Sequence, residues 1–123
     1  MHSHPDMLES VRDLLCKIPG VTIHECRLAP DEVFIEFSVQ LQQSARDVQR
    51  VCEGANVPIE PWEKGVLVPG TYSILASTNS RDDFSGLKLL GVHLAWHLHK
   101  RGILAAPKAN ELLRGWNAAE VGV

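Results

Sequence analysis

Residues 84–102, Phe84-Ser-Gly-Leu-Lys-Leu-Leu-Gly-Val-His-Leu-Ala-Trp-His-Leu-His-Lys-Arg-Gly102, constrain the fold more than any other stretch. Wound as a helix at about 100° per residue, the segment shows two apolar arcs. The wide arc carries Phe84, Leu87, Leu90, Gly91, Leu94, Ala95 and Leu98, and the narrow one Leu89, Val92 and Trp96. Lys88 and His99 separate the arcs on one side; His93, His97 and Lys100 separate them on the other. A helix with two greasy faces has to be covered from two directions. It is therefore expected at the centre of the fold or in a subunit interface.

The chain has 123 residues, which fits one domain over 1–123 with room for a single hydrophobic core. No run approaches the ~18 apolar residues of a membrane span. The first residues, Met1-His-Ser-His-Pro-Asp6, carry neither the basic nor the apolar region of a signal peptide, so a cytoplasmic location is expected. Cys16, Cys26 and Cys52 form no CxxC pair and read as reduced thiols. Cys16 and Cys52 fall at apolar helix positions and are expected in the core. A net charge of −3 argues against nucleic acid or an anionic membrane as partner. The balance is −5 over residues 1–80 and +2 over 81–123, an asymmetry that two copies could use to complement each other across a dimer.

Periodicity predicts an α+β chain. Met7, Leu8, Val11, Leu14, Leu15 and Ile18 repeat at helical spacing behind Ser3-x-x-Asp6, and Pro19-Gly20 ends that helix. Val21 to Leu28 reads as a strand whose apolar face changes midway, which a bulge or burial on both faces would explain. Val33, Ile35, Phe37 and Val39 alternate strictly and hairpin back onto it. Ser44-x-x-Asp47 opens a second helix with Ala45, Val48, Val51, Cys52 and Ala55 inward. Pro58 and Pro61 make 57–65 a rigid loop, and Pro69-Gly70 between two β-prone runs predicts a second hairpin. Ser80-x-x-Asp83 should cap the long helix, Gly102 should end it, and Pro107 should open a last helix with Leu112, Leu113 and Trp116. Residues 120–123 are expected to fray. The order αββαββαα gives a four-stranded antiparallel sheet with helices, in the manner of a circularly permuted ferredoxin-like layer. The long helix could then cover the sheet's second face.

Chemistry is sparse. His93 and His97 at i and i+4 could share a metal, but Leu94 stands where the helical zinc motif has its glutamate, and no third ligand is evident. Such a pair on a polar stripe reads first as solvated. His24-x-Cys26 shares a strand face at ~7 Å, beyond hydrogen-bond reach. Asp31-Glu32 and Asp82-Asp83 suit a turn and a helix start, and the glycines match no phosphate-binding motif. Gly91 and Ala95 form a flat strip that admits another backbone. No cofactor is expected.

The candidate ligand or interface residues are Trp62, Tyr72, Val92, Trp96 and Trp116, which combine apolar area with a polar handle. Against a site, Trp62 could lid the core and Trp96 could pack on Trp116. The preferred expectation is a non-catalytic cytoplasmic binding module, homodimeric, that takes a partner protein or a small apolar ligand. The alternatives are a metal-dependent enzyme or metal sensor using His93 and His97, and a structural adaptor docking through the long helix.

Overall fold

The strict alternation of Val33, Ile35, Phe37 and Val39 sets the sheet. In the computed structural model, which describes residues 4–61, 67–78 and 85–122, these four side chains are buried on one face of β2 (Glu32–Val39). β2 pairs antiparallel with β1 (Val21–Leu28) on one side and, further along the chain, with β4 (Gly70–Ser77) on the other. The two-residue β3 (Ile59–Glu60) lies beyond β4, giving the spatial order β1-β2-β4-β3. Helix α1 (His4–Cys16) precedes the sheet, α2 (Gln42–Ala55) joins β2 to β3, and α3 (Gly86–Lys100) and α4 (Ala106–Gly115) follow it. The chain is thus an α+β protein with the expected element order. Its strand order fits a ferredoxin-like layer whose first strand has moved to the end.

The face change in β1 is a bulge. Ile23 stands opposite Phe37 and Cys26 opposite Ile35, with the register shifting between Ile23 and Glu25. The extra residue lets Val21, Ile23 and Cys26 all contribute to the core side. It also corrects the expectation that His24 and Cys26 share a face: Cys26 packs inward while His24 reaches the outer face, its Nε2 2.6 Å from Ser38 Oγ.

Several local expectations are corrected. The partner of β4 is not Leu67 or Val68. Leu67 and Val68 form no strand, and Ile59–Glu60 pairs instead, inside the segment expected to be a loop. A two-residue strand between prolines leaves no period to read. Helix α2 begins at Gln42 behind Leu41, so Ser44 and Asp47 lie within the helix, both buried, rather than opening it. Ser80, Asp83 and Phe84 lie outside the described residues, as does Ser3. The cap of α3 is Ser85, whose hydroxyl accepts from Lys88 N at 3.1 Å. Cys16 is exposed, and of the two helix cysteines Cys52 alone is buried. The chain end does not fray at Val121: Asn110 Oδ1 accepts from its N–H at 2.7 Å, and the side chain is buried.

Helix α3 packs against α1, α2, α4 and β4. Leu87, Leu90, Leu94, Ala95 and Leu98 are fully buried in one cluster with the inner face of the sheet and the apolar sides of α1 and α2. The wide arc is therefore the centre of the core. The helix lies on the same side of the sheet as α1 and α2, so it does not cover the second face. That face carries Phe34, Glu36, Ser38, Ser73 and Leu75 at intermediate burial, with Arg27 4.4 Å over the Phe34 ring.

Candidate functional site

Two helices meet face to face without closing. Helices α2 and α3 run antiparallel, as two widely spaced contacts require: Asp47 near the start of α2 meets Arg101 past the end of α3, and Gly54 near the end of α2 meets His93. Asp47 is the anchor. Its Oδ1 accepts from Arg101 Nη2 at 2.8 Å and from Gln43 Nε2 at 3.0 Å, and its Oδ2 lies 3.5 Å from His97 Nε2. The carboxylate side chain is 8% exposed and that of His97 12%, which corrects the reading of the histidine stripe as solvated. Three donors around one buried carboxylate compensate its lost hydration. Burial pushes the His97 pKa below its ordinary 6.5, outweighing the pull of Asp47, while Arg101 and Arg50 press the same way as burial. The burial favours the neutral imidazole.

Gly54 explains the other end. A Cβ there would stand 3.0 Å from Nδ1 and 3.1 Å from Cε1 of His93, so the missing side chain lets the ring lie on α2. Between these ends the helices leave a groove of about 390 Å³ walled by Arg50 and Val51 on one side and His93, Trp96, His97 and Lys100 on the other. Val51 is buried at its base, and Arg50 and Lys100 are exposed at its rim. Trp96 is 40% exposed, the one tryptophan among the described residues to present its ring to solvent. Its Nε1 donates to Ala119 O at 3.2 Å, which fixes the ring against the C-terminal tail.

The remaining candidates go elsewhere. Tyr72 is a core residue: it is buried, its OH donates to Val68 O at 2.6 Å, and its ring lies 6.1 Å from that of Phe37. Val92 is half-buried against the core cluster. Trp116 is buried with its Nε1 unpartnered among the described residues, and its ring occupies the strip at Gly91 that was expected to admit a backbone. Trp62 lies outside the described residues. Of the four candidates among the described residues, Trp96 alone lines the groove. Arg50 and Val51 were missed, because nothing in α2 by itself marks them as facing a histidine more than 40 residues away.

Other chemistry finds little support. No group of three or more His, Cys, Asp or Glu side chains is gathered to hold a metal among the described residues, and His97 Nε2 is turned to Asp47. Burial pushes the Cys52 thiol up to about 12 and raises Cys26, so neither is a thiolate nucleophile at neutral pH. His24 and Ser38 have the separation of a base and a nucleophile. Ser38, however, is also 2.9 Å from Thr71 Oγ1 on an open sheet face, where both neighbours of β2 occupy its backbone N–H groups. The three side chains tie β1, β2 and β4 together. No family model, curated protein or solved structure matches the chain.

Proposed function

We propose that this protein is a non-catalytic binding module of the cytoplasm that holds its ligand in the groove between α2 and α3. The exposed ring of Trp96 carries this reading. A large apolar side chain held by one hydrogen bond on the wall of a groove, with buried Val51 at the base, is the equipment of a pocket rather than of a solvated helix face. The volume, about 390 Å³, suits a small molecule. The three unpaired cysteines support the cytoplasmic setting. A screen of small ring compounds by two-dimensional amide NMR tests the reading. Hits should move the Trp96 indole signal together with Val51, His93 and His97, and Trp96→Ala should abolish those shifts. Hits that cluster on another surface would overturn it.

A second reading is a homodimer formed through the outer arc of α3, favoured by the same exposed ring. Light scattering separates the two. A particle of twice 13.6 kDa that Trp96→Asp reverts to a monomer would assign the ring to a subunit interface.

A further inference from the structure

We propose that the ligand of this groove is a flat apolar molecule bearing a carboxylate, an aryl carboxylate in the simplest case, with its ring against Trp96 and its anion between Arg50 and Lys100. The inference rests on the groove being the binding site and adds the chemistry of what enters it. Exposed cations fall into two groups: Arg12 has Glu9 and Asp13, Arg27 has Glu25, Lys108 has Glu111 and Arg114 has Glu120, whereas Lys17, Arg46, Arg50 and Lys100 have no such carboxylate among the described residues, and of these only Arg50 and Lys100 line the groove. Arg50 and Lys100 form no ion pair among the described residues, and they stand on opposite walls of one groove. Of the carboxylates one turn either side of Arg50 on α2, Asp47 is buried and already holds Arg101, Gln43 and His97, and Glu53 accepts from Gln49 Nε2 at 3.0 Å. The guanidinium of Arg50 acts on the His97 ring, helping to hold it neutral, which places that positive charge at the groove itself. The rim is therefore cationic and the base apolar. An uncharged ligand would fill the base and leave both cations unsatisfied; a simple inorganic anion would meet the cations and leave Trp96 bare. A carboxylate on a flat ring matches both at once, with the fork of Arg50 suited to two-point contact.

The full chain is titrated calorimetrically with 2-naphthoate and, in parallel, with the uncharged 2-naphthamide, while NMR follows the Trp96 indole. The acid should bind about ten-fold tighter than the amide, the size of one charge-assisted contact. The double variant R50Q/K100Q, checked for an unchanged melting curve, should abolish the difference, so that acid and amide bind this variant equally. Equal binding of acid and amide with the indole perturbed would overturn the carboxylate proposal while leaving the groove as the site. No perturbation of the indole by either probe would overturn the groove reading itself.

Discussion

Helix α3 meets its neighbours in two contrasting ways. Toward α1 and α4 it presents Gly91, and the buried ring of Trp116 lies so close that an added Cβ would stand 2.9 Å from Cη2 and 3.2 Å from Cγ2 of Val11. Toward α2 it presents His93, His97 and then Arg101, met by Gly54 and Asp47, and an open groove runs beside the contact. The glycine flank closes because absent side chains let an aromatic surface come into van der Waals contact and exclude water. On the polar flank the contacts are made at Asp47 and at Gly54, and a groove lies beside them that the side chains of Val51 and Trp96 line without filling. One flank supplies packing. The other leaves a groove.

The comparison can be broken between the flanks first. Leu94 is fully buried on the wide arc, so Leu94→Asp should abolish the cooperative unfolding transition seen by circular dichroism, since an unpaired buried charge takes a large share of the ~5–15 kcal/mol that holds a domain folded. Next comes the same substitution on each flank. Gly91→Ala should lower stability by about 2 kcal/mol in urea unfolding, because the buried ring has nowhere to go. Gly54→Ala should change it by less than about 0.5 kcal/mol, because the half-buried His93 ring can swing aside and alanine is the better helix former. Equal costs would mean the two flanks are packed alike.

Asp47→Asn keeps the shape of the anchor but removes its charge, and should cost about 1.5 kcal/mol by the same measurement. The smallest effect is a pH dependence. Because the His97 pKa is lowered on folding, the unfolded chain takes up a proton as pH falls through 6.5 while the folded chain does not. The stability contributed by neutral His97 is complete above that value and is lost as pH falls below it toward the folded pKa. Urea midpoints at about pH 7.5 and about pH 5.5 should therefore differ less for His97→Gln than for the native chain. A native chain more stable at the lower pH, with the variant flat, would reverse the assigned sign.

Much of the scaffold was legible because its signals are local. The period of two at Val33–Val39 and the phase change across Val21–Leu28 are properties of one strand and its pleat, and they yielded β2 and the bulge of β1. Gly20 and Gly102, at φ of 78° and 75°, and Pro107 in the first turn of α4 mark element ends for equally local reasons. Where the signal was not local, the reading failed. Pro69-Gly70 looked like a hairpin turn, yet β4 took β2 and the two-residue β3 as neighbours, since strand pairing is chosen by burial of Tyr72, Ile74 and Ala76 and not by the turn dipeptide.

The groove belongs to the second kind. Of the residues of α3 that line it, Trp96 stood out on one helical wheel as a large ring on the outer arc, His93 and His97 only as a pair read first as solvated, and Lys100 not at all. What they face could not be read there. Asp47 looked like a helix opener because its local environment permits that role, and its partners Arg101 and His97 lie 54 and 50 positions further along the chain. Amino-acid order by itself determined the four helices and the three long strands and which side of each is greasy, because those depend on side-chain spacing along a single element, whereas the two-residue β3 was too short to carry such a period. Tertiary structure alone decided that Trp116 fills the flat strip at Gly91 while α2 leaves a cationic cleft beside Trp96, because that depends on which helices the shared core draws together and at what distance.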